Sequence, residues 1–149
     1  MTVALPREEA LASPRRAAIH AAIAGTPGIH FRALARQVGV PAGTLRHHLN
    51  VLVRSGVLRE ERVGTTSLAF LPADDTRDAA VLAVLLEPGM AALRDLVASA
   101  GRVCQRDLVA YLDGIWPRST VQHRLARLVE AGVLRLTPQG RLLFYEVAA

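Results

Sequence analysis

Gly43, Thr44, Arg46, His47, Asn50 and Arg54 lie within one twelve-residue stretch. Their types are those that touch a nucleic-acid groove. A guanidinium can bond guanine bidentately, an asparagine suits adenine, and a threonine bonds phosphate or touches a thymine methyl. Gly43 would let the backbone come close to a phosphate or a base edge. Seventy-six residues on, Thr120–Arg135 matches Thr44–Arg59 at nine of sixteen positions, Thr44/Thr120 and His47/His123 among them. There Arg118, Ser119, Thr120, Gln122, His123 and Arg127 take the outward places, while Ala126 replaces Asn50 and Glu130 replaces Arg54. A carboxylate at that last position does not suit a polyanion.

These side chains need a helix to present them. At 100° per residue, Leu45, Leu49, Leu52 and Val53 form one apolar stripe. Gly43, His47, Asn50 and Arg54 point the opposite way, flanked by Thr44 and Arg46, and His48 sits on the margin of the stripe. Ser13-Pro14 starts an earlier helix that carries Ile19 and Ile23 and stops at Gly25–Gly28. A second helix is expected over His30–Val38, a break at Gly39-Val40-Pro41, and the polar-faced helix to about Ser55. Val57–Arg62 and Thr66–Leu71 then read as two strands of a hairpin turning at Val63-Gly64-Thr65, where Gly64 is expected at positive φ.

The same order returns in the second half. Pro88 opens a helix to about Ala100, Gln105–Leu112 forms the next, and a third follows Pro117 up to Ala131. Val133–Thr137 and Leu142–Val147 bracket a turn at Pro138-Gln139-Gly140. The offset grows from 74 at Arg32/Arg106 to 76 at Thr44, so two residues are inserted within "LDGIWP". Internal duplication is the clearest signal in the chain. Between the halves, "DDTRDAAVLAVLLE" is a capped helix with acids in its first turn and an apolar surface almost all round. It must be buried, either between the repeats or against a second copy of the chain, and the second-copy reading predicts a homodimer through residues 79–86.

The stretch "PGIHFRALARQVGVPAGTLRHHLNVLVRSGVL" resembles winged-helix transcriptional regulators of the ArsR/MarR type, in the archaeal style "PGIHFRxLAR…GTLxHHL". The likeness covers residues 14–71 well and returns more loosely in "IWPRSTVQHRLARLVEAGVL". It implies a mainly α fold with small β-hairpin wings: winged helix-turn-helix domains at 1–73 and 88–149, joined by a linker helix at 74–87. It also implies a partner, double-stranded DNA. The expected contacts are Arg32, Gly43, Thr44, Arg46, His47, Asn50, Arg62, Gly64 and Thr65 in the first domain. In the second they are Arg118, Ser119, Thr120, Gln122, His123, Arg127 and Arg141.

Composition bounds these readings. Hydrophobic residues make 51% of the chain and aromatics only 4%, which favours packed helices over aromatic-rich strands. All 18 basic residues are Arg and the net charge is +5, which suits phosphate or reflects genomic base composition. Residues 1–73 carry nine Arg against four acids, and 88–149 carry eight against five, so the first repeat is the expected base reader. Cys104 is the single cysteine and points to a reducing compartment. No apolar run approaches the ~18 residues of a membrane span, and the N-terminus lacks a signal-peptide pattern, so a soluble cytoplasmic protein is expected. His20, His30, His47, His48, His123 and Cys104 show no metal-ligand spacing. No phosphate loop, carboxylate pair or nucleophile–base arrangement is evident, so neither an enzyme nor a cofactor is expected. An effector ligand is left open. The rival reading is a tandem winged-helix adaptor whose third helices meet protein. Single-stranded or RNA binding ranks lower because exposed aromatic platforms are lacking.

Overall fold

A computed structural model describes residues 4–65 and 67–148. The chain divides into two compact units, Met1–Ala83 and Val84–Ala149. In the first, α1 (Arg7–Ala10) and α2 (Pro14–Gly25) precede β1 (Ile29–His30), α3 (Phe31–Val38) and α4 (Ala42–Arg54), and β2 (Leu58–Val63) and β3 (Ser67–Pro72) close it. Ser13 caps α2 by accepting from the Arg16 amide at 3.4 Å, with Pro14 at the first helical position. Gly39, at φ 65°, ends α3 in the left-handed region that glycine adopts without strain. Both features follow the sequence reading.

The short strand β1 and the helix α1 do not. Ile29 and His30 are extended and pair with Phe70 and Ala69 of β3, giving an antiparallel sheet in the order β1-β3-β2. Helix α3 therefore begins at Phe31 and not at His30. Two residues are too few for any periodicity, and the pairing begins with the Gly28 amide, which donates to the Phe70 carbonyl at 2.9 Å. The apolar stripe of α4 behaves as expected, with Leu45, Leu49 and Leu52 buried against Ile19, Ile23, Leu34 and Phe70; Val53 lies half-buried at its edge. Thr66, which was expected to open the second strand, lies outside the described residues. The strand is described from Ser67.

The second unit runs α6 (Met90–Ala100), β4 (Val103–Cys104), α7 (Gln105–Tyr111), α8 (Arg118–Glu130), β5 (Leu134–Gln139) and β6 (Leu142–Val147). Its sheet order, β4-β6-β5, has the same form. Leu93, Val97, Leu108, Val121, Leu125, Leu128 and Tyr145 are buried. Two boundaries need correcting. Helix α6 starts at Met90 rather than Pro88, because Gly89 at φ 79° forms its N-cap. The hairpin turn is Gly140-Arg141 rather than Pro138–Gly140, since Pro138 pairs with Leu143 and Gln139 with Leu142. Proline is tolerated there because β5 is an edge strand, where a missing N–H costs no ladder bond.

Between them lies α5 (Ala79–Leu85), capped as expected by Asp78, whose Oδ1 accepts from the Ala80 amide at 2.8 Å; the helix is shorter than the expected 74–87, and its first turn holds none of the expected acids because Asp74, Asp75 and Asp78 all precede Ala79. The division into units falls inside this helix, after Ala83. Ala79, Ala83 and Val84 are buried, while Leu86 just beyond the helix is 46% exposed. The Leu82–Ala83 turn of α5 lies so near Gly28 that a Cβ on the glycine would come within 2.7 Å of Leu82 Cβ. One side of the apolar helix thus has a partner within its own chain. No helix among the described residues is long and apolar enough to cross a membrane.

Candidate nucleic-acid interface

Helix α4 has no acidic residue, and its solvent side carries the polar row. Gly43, His47, Asn50 and Arg54 are exposed, and Thr44 and Arg46 are half-buried beside them. Pro41 forms the N-cap and offers no side-chain bond, so the first-turn N–H groups lack a capping side chain beside the bare backbone of Gly43. Such a helix start suits an anion. Next to it Phe31, Arg32, Arg46 and Ser67 line an open groove of about 500 Å³. The β2–β3 tip adds Gly64, at φ 70°, together with exposed Arg62 and Thr65. Arg62 donates to the Thr65 carbonyl at 3.1 Å, which braces the tip.

Arg46 is held on two sides. Its guanidinium carbon lies 4.3 Å from the centre of the Phe31 ring, and its Nη1 lies 3.4 Å from Glu60 Oε1. Neither partner was apparent from sequence. Phe31 reads as core on a helical wheel, and Glu60 reads only as a charge opposed to DNA.

In the second unit the equivalent groove, about 370 Å³, is lined by Arg106, Arg118 and Arg141 over Val109, Leu142 and Leu143. Arg118, Ser119, His123 and Arg141 are exposed, and Thr120 and Gln122 half-buried. Arg106 lines this groove but was not among the expected contacts, although its equivalence to Arg32 was a signal. Arg127 needs correction as an outward residue. Its Nη2 sits 2.6 Å from Glu87 Oε2, and its counterpart Val51 packs against the core, so the position lies on the flank of the helix. The structure brings Arg127 to Glu87 and leaves the groove to the other three arginines.

The margin position differs between units. Arg124 stacks on Trp116, 4.2 Å from the ring centre, with a buried Nη1 that has no partner among the described residues. Its counterpart His48 has a buried Nδ1 without a partner among the described residues. Burial, followed by the nearby charges of Arg16, His47 and Arg15, pushes the His48 pKa below the ordinary histidine range. The unfolded chain therefore takes up this proton more readily than the folded one. Stability from His48 is full above its unfolded pKa, about 6.5, and is lost as pH falls through the lower folded value. His48→Gln is expected to flatten the loss of melting temperature between pH 7.5 and 5. An unchanged slope would show that the loss arises elsewhere.

Helix α3, the tight turn at Gly39, helix α4 with its exposed polar face and the adjoining hairpin have the helix-turn-helix arrangement. A family model described as an N-terminal HTH domain matches residues 13–82. The chain is also 27% identical over 146 residues to an uncharacterized HTH-type transcriptional regulator of Methanocaldococcus jannaschii. That alignment covers 96% of this chain but 36% of the relative, so the chain spans about a third of the relative's length.

Proposed function

We propose that the chain is a sequence-specific, double-stranded DNA-binding transcriptional regulator with two winged helix-turn-helix domains in tandem, of the ArsR/MarR-like type. The reading takes 1–73 and 88–149 as the domains and 74–87 as the connecting helix. It assigns no catalysis and no cofactor, and it places the protein in the cytoplasm. The observation that carries it is the acid-free α4, whose exposed row ends at an uncapped helix start beside an arginine-lined groove. Arginines on phosphates supply affinity and a salt-dependent binding constant, and groove contacts from α4 supply sequence preference. The similarity to the HTH-type transcriptional regulator of Methanocaldococcus jannaschii supports the same reading. The test is selection of bound duplexes from a random pool. A recovered consensus supports the regulator, and an unenriched pool rules out sequence-specific reading.

A second reading applies to the second unit alone. Tyr111 and Ile115 are 70% and 66% exposed, and Leu136, Leu143 and Val147 are each 37% exposed. Exposed apolar side chains mark a contact surface where they form one contiguous patch, and these five residues are the candidates for one. They favour a protein-facing role for Val84–Ala149 while α4 reads DNA. The homodimer through 79–86 now depends mainly on Leu86, because Leu82 faces Gly28. Light scattering should give two chains for the wild type and one for Leu86→Glu. A wild type that is already monomeric at tens of micromolar removes the dimer.

A further inference from the structure

We infer that Glu60 and Phe31 are positioning residues for Arg46, orienting its guanidinium so that it can discriminate among base edges. The inference rests on the DNA reading above and adds the part of the domain that sets its selectivity. Arg46 stands on α4, and its two partners come from other elements: Phe31 is the first residue of α3, and Glu60 lies in the edge strand β2. The ring covers one face of the guanidinium at 4.3 Å, and the carboxylate meets Nη1 at 3.4 Å in the same side chain's plane of donors. A guanidinium has five N–H donors, so stacking and one carboxylate contact still leave several for a guanine edge. A long side chain held at both a face and a donor loses less freedom when it binds.

The second unit supplies a comparison. Gln105 stands in Phe31's place, Gln122 in Arg46's and Leu136 in Glu60's, so all three members are absent together. A carboxylate beside an anion-binding surface repels phosphate in general. At this strand position the carboxylate is present in the unit that has the guanidinium and is replaced by Leu136 in the unit that has Gln122, which aiming explains.

Four variants, Glu60→Gln, Glu60→Asp, Phe31→Leu and Arg46→Ala, and the double variant Glu60→Gln/Arg46→Ala, test this. Each is titrated with the duplex selected from the random pool and with a mixed-sequence duplex. Glu60→Gln should tighten the mixed duplex by about threefold, the scale of one exposed charge, without tightening the selected one equally. Glu60→Asp keeps the charge but shortens the reach, so it should leave the mixed duplex within about twofold and weaken the selected one about threefold. Phe31→Leu should weaken the selected duplex by a similar factor, about threefold. In the Arg46→Ala background, Glu60→Gln should shift both duplexes equally. If the ratio of the two affinities is the same in wild type, Glu60→Gln and Glu60→Asp, the inference is overturned while the DNA reading stands. If the ratio changes as much without Arg46 as with it, Glu60 acts by charge alone and the inference again falls. A wild type that binds neither duplex overturns both.

Discussion

Replacing Gly28 by alanine is expected to cost about 3 kcal/mol of stability, measured by chemical denaturation. Two causes combine. The residue adopts φ 92°, where any Cβ is strained, and that Cβ would meet Leu82 Cβ at 2.7 Å and the Ala83 amide nitrogen at 3.0 Å. Those neighbours belong to α5, so the helix must move away from the Thr26–Ile29 turn to make room. Gly64→Ala separates the causes. Its φ is 70° and no described residue lies within 4 Å of the added atom, so strain alone should cost about 1 kcal/mol. Equal losses for the two variants would mean that α5 does not rest on Gly28.

Arg46→Ala should weaken binding to the selected duplex by about 1–3 kcal/mol and relax the preference at one base pair, as loss of a bidentate guanine contact does. The same change at the equivalent Gln122 should cost less, since that side chain is half-buried and has neither a stacked ring nor a carboxylate to aim it. Arg118→Ala should leave the base preference intact and reduce the salt slope by about one, the signature of a phosphate contact. Arg127→Ala should leave the slope unchanged, because Glu87 already holds that guanidinium. Binding isotherms at several salt concentrations distinguish these outcomes. Equal losses from Arg46→Ala and Gln122→Ala would make the two units matched readers.

Repeat identity is not by itself a mark of function. Arg59 and Arg135 are identical across the repeats, yet both serve the fold. Arg59 donates to the carbonyls of Asp75 and Arg77, at 2.7 and 3.0 Å, and pairs with Glu61, which ties the entry to α5 onto β2. Arg135 pairs with its cross-strand neighbour Glu146 at 3.1 Å. A duplicated residue can mark a shared structural need as readily as a shared ligand.

The helices from α2 onward and the polar face of α4 were legible because they depend on local order. A 3.6-residue period, Ser13-Pro14 at a start and Gly39 at a stop each act within a few residues. Gly64 at positive φ was legible for the same reason, since a tight turn constrains its own backbone. The strands β1 and β4 were not, because a two-residue strand has no pattern of its own and exists only by pairing with β3 or β6. The turn at Gly140-Arg141 also waited on pairing, because register decides whether Pro138 is a turn residue or an edge-strand residue. The surroundings of Arg46 were hidden for a related reason. Phe31, Arg46 and Glu60 come from three elements, and no spacing along the chain states that a ring, a guanidinium and a carboxylate will meet. Which faces are apolar and which side chains can touch a polyanion could be read along the chain, because periodicity and residue type are local properties. Which arginines are withdrawn and which is aimed followed from folding, since Glu87 takes Arg127, Glu146 takes Arg135 and Glu60 meets Arg46 only once separate elements are packed together.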